Sequence, residues 1–346
     1  MSGRSRRRQG AAILAALVGL TSPLAAATLQ VGPDAPLKTP SAAAAVAQDG
    51  DMIEIAAGDY FDCAIWRAND LTIAGAPAGT DGKTATLTDK SCEGKAAFIT
   101  RGARIVLRNL TFTRIRVDDR NGAGIRVEGG DLTIEHSRFI NDQIGILAAD
   151  NLARTLIIRD CDFTANGLPD ADRATADILA GSSARLLVTQ SRFDAKKGGA
   201  AISSQARATE LVGNRFTSAT PMTYLIGDMT GGTLTMTANI ITLAPGGAPR
   251  LGVVTTAADG DLPAGDIVVE GNSLTNDSGK PTTLLLNWRG ITPRLARNIV
   301  ARADTEVSDS GAIQHRLSTA VHSTIDTLRH AAGMARHLVG IVRQQL

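Results

Sequence analysis

Aromatic residues are scarce in this chain: seven Phe, two Tyr and two Trp make up 3% of 346 residues. That excludes a globular core built on large rings and favours a narrow interior of small stacked side chains. Cysteine is nearly absent too, with three copies. Three allow one disulfide and one thiol left over. Cys63 and Cys92 fall in the irregular early segment and are the expected pair. No uninterrupted apolar run reaches the roughly 20 residues a membrane-spanning helix needs. A basic excess is missing as well. Residues 1–27 hold four arginines and no acid, so removing them leaves 32 basic against 34 acidic residues. Nucleic acid is thereby excluded as the main partner, because phosphate binding needs a basic stripe.

Those first 27 residues read as a secretory signal peptide. Arg4, Arg6, Arg7 and Arg8 precede the apolar run Ala11 to Leu20, and the small residues Ala25, Ala26 and Ala27 supply the cleavage site. The mature chain is expected to be exported, either periplasmic or secreted.

What is present is a repeat. From residue 105 a phrase recurs: apolar-x-apolar-x-x-small-x-apolar. Its copies end at Phe112, Phe139, Phe163, Phe193, Phe216, Ile241, Leu274 and Val300, spaced 27, 24, 30, 23, 25, 33 and 26 residues apart. Self-similarity at such periods marks a solenoid, and the period of two within each phrase marks a strand. Stacked at about 4.8 Å per rung, the Phe residues form one interior column. Two positions earlier runs a second column: Leu110, Ser137, Cys161, Ser191, Asn214, Asn239, Asn272 and Asn298. Four successive Asn at a buried turn predict an amide ladder that satisfies the backbone there. Cys161 lies in this column and reads as a small buried core residue. A further apolar patch follows each phrase, as in Gly124 to Val127 and Leu284 to Leu286, and supplies another strand per rung. Pro40 to Gln48 is expected to cap the N-terminal end, with Asp51 to Tyr60 as the first strand. Residues 28–305 thus form an all-β domain. Residues 306–346 read as an amphipathic α-helix, with Ile313, Leu317, Val321, Ile325 and Leu328 on one stripe. Its basic and His-rich face offers contact with a partner, with itself, or with a membrane surface.

The cap, the stretches Gly50 to Tyr60 and Asn121 to Arg126, and the phrases together resemble the pectin-lyase-like, right-handed parallel β-helix repeat proteins of bacteria. The resemblance spans roughly residues 28–302. It implies that fold and an ancestry among secreted polysaccharide-acting proteins. On the alignment it suggests, such relatives carry His at the positions of Ala176 and Ala200, Lys at Ser203, Arg at Gln205 and Asp at Gly227. Here the hydrophobic frame is kept and those ionisable groups are absent. A catalytically degenerate relative that binds an acidic polysaccharide without turnover is the implied function. The alternatives are a divergent polysaccharide lyase or hydrolase, and a surface scaffold or assembly module.

Candidate contacts follow from charge placement. The outward position before the Phe column reads Thr111, Arg138, Asp162, Arg192 and Arg215. With Lys196 beside it, this line forms a cradle for carboxylates, or else a salt-bridged solvent face. Asp119 and Arg120, in the loop before Arg126, are further substrate candidates. A lyase would draw its base from Arg126, Arg138 or Arg192. Asp160 and Asp162 are the candidate ligands of a Ca²⁺ ion, the one cofactor considered, although no calcium-binding spacing is met.

Overall fold

The computed structural model describes residues 26–77, 82–169, 175–194, 196–229, 231–256, 265–289 and 291–307. The expected leader up to residue 25 and the amphipathic segment beyond 307 lie outside the described residues.

The chain winds as a right-handed parallel coil whose rungs feed three columns of strands. Ile105–Arg108, Leu132–Glu135 and Thr233–Thr237 belong to the first. The second is a ten-stranded sheet in which Phe112, Phe139, Phe163, Phe193, Phe216, Ile241, Leu274 and Val300 are in unbroken register. The third includes Ala123–Val127, Ile144–Ala148 and Thr283–Asn287. In Ala176–Thr189 and Ala200–Val212 one continuous strand serves the third column and then the first.

The repeated phrase is therefore two strands, not one. They are divided by a single residue in the left-handed region: Asn109, His136, Asp160, Gln190, Gly213, Ala238, Gly271 and Arg297, with φ between 48° and 67°. The residue that follows each bend belongs to the small/Asn column. Asn214 N–H donates to Asn239 Oδ1 at 2.9 Å, Asn239 N–H to Asn272 Oδ1 at 2.9 Å and Asn272 N–H to Asn298 Oδ1 at 3.0 Å. Each Asn side-chain amide also donates to a strand carbonyl: Asn214 to Val188 O, Asn239 to Leu211 O, Asn272 to Met236 O and Asn298 to Val269 O. Ser137 and Ser191 do the same work with hydroxyls, accepting from Leu110 N–H and Cys161 N–H. Cys161 is buried as expected, and burial pushes its thiol pKa up to about 12.

Inside the coil the five Phe rings stack at centroid separations of 4.7–5.3 Å and within 12° of parallel. The stack is continued edge-on by Phe98 and Trp66. Rung spacing imposes this near face-to-face geometry, which isolated ring pairs favour less than an offset one.

At the N-terminal end Pro40–Val46 is a helix, capped by Thr39 and packed on Thr28–Val31 and Ala64–Trp66. The first strand is Thr28–Val31, which pairs with Met52–Ile55. Asp51 to Tyr60 is thus not first. It is also broken, because Gly58–Tyr60 turns into the second column and pairs with Ala85–Thr88. Cys63 and Cys92 form the disulfide. Asp304–Val307 is a strand that pairs with Thr283–Asn287, so the coil is described through residue 307.

Candidate functional site

Charged side chains gather in three places, and the strand columns decide which are available to a ligand. The second column's outer face presents the line expected from sequence: Thr111, Arg138, Asp162, Arg192 and Arg215 stand on successive rungs. Arg192 grips Asp162 through Nε to Oδ1 at 2.7 Å, and that hydrogen bond raises the guanidinium's pKa further above its ordinary value. Arg138 and Arg215 flank this pair and make no ion pair with any described residue. Among these four charges the balance is three cations to one anion.

Beside Arg192 and Arg215 lies an open recess of about 430 Å³, lined also by Asp160, Gln190, Ser191 and Gly213. Its origin is the left-handed bend. Gly213 occupies that bend with no side chain, so the space that a bend residue fills on neighbouring rungs is left open. Nothing in the arginine pattern signals this recess. The only sequence clue is that Gly213 directly precedes a member of the Asn column.

Asp160 and Asp162, the calcium candidates, are each already engaged by a neighbour: Asp160 lies 2.9 Å from His136 Nδ1 and Asp162 takes Arg192. Among the described residues no three His, Cys, Asp or Glu side chains group as a metal would need.

Lys196 does not join the cradle. It is buried, and its Nζ lies 3.1 Å from Asp177 Oδ2. The reason is a second ladder at the corner between the second and third columns. Asp142 Oδ1 accepts from Ile115 N–H at 2.8 Å, and Asn166 Oδ1 accepts from Asp142 N–H at 2.8 Å. Lys196 holds the equivalent place on the next rung, where the side chain turns inward. Burial raises the Asp142 carboxyl well above the carboxylate range, raises Asp177 and lowers Lys196. A comparable buried pair, Arg289 with Asp228, lies further along.

The third column is buried on both faces in Ala96–Thr100, Ala123–Val127, Ile144–Ala148 and Thr283–Asn287. Outward residues in register include Ile99, Arg126, Leu147, Leu179, Ser203 and Gly227. Ala176 pairs with Ala200, and Ser203 with Gly227. The positions where the resemblance places His, Lys and Asp are thus neighbours on this strand column. Tyr224 overlies them: its hydroxyl is 3.4 Å from Ser203 Oγ, and its ring would meet a β-carbon at Gly227 at 2.5 Å. Arg126 is 4% exposed, 3.3 Å from Glu128, and burial lowers its pKa. Asp119, in the loop before this strand, is exposed and takes Asn121 Nδ2 at 2.9 Å. Arg120 stands in the same turn at φ 67°. The structure therefore brings Arg138, Arg192 and Arg215 together, and sets Arg126, Asp119 and Lys196 apart from them.

Among the described residues no helix is long and apolar enough to cross a membrane. In comparisons with known proteins, no curated protein matches the sequence. The chain is similar to solved structures at low identity. Pectin methylesterase from carrot is 12% identical with a TM-score of 0.41, over 84% of this chain and 91% of that one. The tailspike protein gp49 of Acinetobacter baumannii bacteriophage Fri1, a capsular polysaccharide depolymerase, is 9% identical with a TM-score of 0.39, over 84% and 64%. The A-module of a mannuronan C-5 epimerase from Azotobacter vinelandii is 14% identical with a TM-score of 0.32, over 75% and 91%. Likenesses at this level carry no residue's role across. The family model described as "Right handed beta helix region" matches residues 78–216. The described strands continue the same parallel register on both sides of that segment, so the fold is a right-handed parallel β-helix.

Proposed function

We propose that this β-helix binds an anionic polysaccharide along the arginine column without turning it over. One observation carries the reading: Arg138 and Arg215, on either side of the Arg192–Asp162 pair on the sheet's outer face, make no ion pair with any described residue. Guanidiniums at rung spacing match a polymer of repeated carboxylates, since each planar fork takes one carboxylate in two hydrogen bonds. Arg192 is suited to binding and not to proton abstraction, because Asp162 holds it charged. The recess beside Arg192 and Arg215 gives a sugar ring somewhere to sit. The chain acts outside the cytoplasm on this reading, and the Cys63–Cys92 disulfide supports that compartment.

Calorimetric titration with polygalacturonate, alginate and dextran tests the proposal. Affinity for a polyuronate is expected, weakening as salt is raised and falling at least about tenfold in the Arg138→Gln/Arg192→Gln/Arg215→Gln triple variant. Equal behaviour of dextran and both polyuronates would overturn it.

A further inference from the structure

The corner between the second and third columns buries three ionisable side chains that the arginine column does not use. Asp177 stands opposite Gly145 of the preceding rung, since Ile178 and Ile146 are partners. A β-carbon at Gly145 would come 3.0 Å from the Phe163 ring, so a side chain at this place points inward at the stacked phenylalanines. The Asp177 carboxyl is therefore held in an apolar interior. Lys196 reaches it from the corner one turn of the coil later, with Nζ 3.1 Å from Oδ2. The contact is close but poorly satisfied. Neither Asp177 oxygen nor Lys196 Nζ makes an aligned hydrogen bond with any described residue.

Asp142 is the third member. It is buried, its Oδ1 accepts from Ile115 N–H, and its Oδ2 has no hydrogen-bond partner among the described residues. Asn166 links it to the pair: Asn166 Oδ1 accepts from Asp142 N–H at 2.8 Å, and the Asn166 side chain acts on the Asp177 carboxyl. An ammonium and a carboxylate do not react with each other. Here burial raises both carboxyls and lowers the lysine, which favours the acid and amine forms that do. Exposed Arg116 acts on Asp142 in the opposite sense without reversing this. Two buried charges with so few hydrogen bonds are unfavourable, and a neutral product removes both.

We infer that Lys196 and Asp177 join in a spontaneous isopeptide bond, with Asp142 as the proton carrier. The Nζ lone pair attacks Asp177 Cγ, the N–C bond forms and the Cγ–OH bond breaks. Neutral Asp142 gives its proton to the departing hydroxyl and takes one from the nitrogen. One water is lost, and no oxidant or cofactor is consumed. The fold supplies what the step needs, a nucleophile and its target held in contact. In freshly folded chain the two groups are still an ion pair, and the amide accumulates on standing. It ties the corner after Phe193 back to the strand Ala176–Thr189. No residue of the arginine column takes part.

Intact-mass spectrometry of the full chain, with the Cys63–Cys92 disulfide reduced, tests this directly after folding and again after prolonged incubation. Trypsin then maps the bond, since residues 174–185 should appear branched onto residues 193–197. A growing species lighter by one water, with the loss located in that branched peptide, is expected. Lys196→Arg should abolish it. Asp142→Asn, which keeps an acceptor for Ile115 N–H, should slow it at least about tenfold. Full mass throughout, or water loss mapped to other residues, overturns the inference. Unaltered kinetics in Asp142→Asn overturns the part given to Asp142. Should either variant fail to fold, the digest of the unaltered chain decides whether the bond forms.

Discussion

Lys196 Nζ lies 3.1 Å from Asp177 Oδ2, with the two side chains 2% and 0% exposed. Removing one partner of such a pair strands the other. Lys196→Met is expected to lower stability by about 3–5 kcal/mol, whereas Lys196→Met/Asp177→Leu recovers most of that loss. Urea unfolding of both variants, read at unchanged m, checks the pair.

Asp142 makes the fold sensitive to pH in a defined direction. Its carboxyl is raised well above 3.8 by burial. The native state therefore holds this proton more tightly than the unfolded chain does. The stabilisation is complete below the unfolded value and is lost as pH rises through the folded one. Asp142→Asn, which keeps an oxygen to accept from Ile115 N–H, should flatten that decline. The difference between the two stability curves from pH 4 upward isolates the effect.

Asn239 sits in mid-ladder. Its Oδ1 accepts from Asn214 N–H, and its Nδ2 donates to Leu211 O and Asn272 Oδ1. Asn239→Leu leaves buried backbone groups unpaired and is expected to destabilise by about 2–4 kcal/mol. Denaturant titration monitored by far-ultraviolet circular dichroism would show it, with a smaller effect for Asn298→Leu on the last rung of the column.

The disulfide closes a separation of 29 residues. Reduction should cost about 3–4 kcal/mol in the chain-entropy account, and hydrogen exchange should quicken first in the strands near Ala64–Trp66 and Ala96–Thr100. Cys161, by contrast, should resist thiol reagents until the coil opens, because it is buried with its pKa near 12.

Arg192→Ala separates binding from folding. The side chain is 65% exposed and its ion pair is a surface one, so stability should change by less than about 1 kcal/mol. Affinity for an anionic polymer should fall all the same, as titration of the variant against the unaltered chain would record.

The Phe and Asn columns were legible in the sequence because stacking puts identical positions in identical environments, so residue type repeats. The bend residues were not. Asn109, Gln190, Ala238 and Arg297 share a left-handed backbone and nothing else, since the constraint acts on φ and the side chains point out to water. For the same reason one strand was read where there are two. Lys196 misled because its sequence neighbour Lys197 is exposed; it stands one rung beyond Ile115, Asp142 and Asn166, a corner position whose inward turn no single repeated residue type marks. Arg138, Arg192 and Arg215 were placed correctly by counting from Phe. The recess at Gly213 was missed because it arises from an absent side chain. Arg126 was found as a residue, but its burial and its competition for Glu128 are facts of three rungs at once.

Successive members of the Phe column are separated by 23 to 33 residues, yet the second sheet keeps its register without a slip. Variation in rung length is then taken up outside that sheet, in the turns and in the register shifts at Asn151/Thr155, Ala180/Ser183 and Met222/Tyr224. Phase along the coil is reset once per revolution, at the bend and its ladder, so an insertion in one rung does not propagate to the next. Such a scaffold can alter its loops one at a time while the spacing of its outward side chains stays constant.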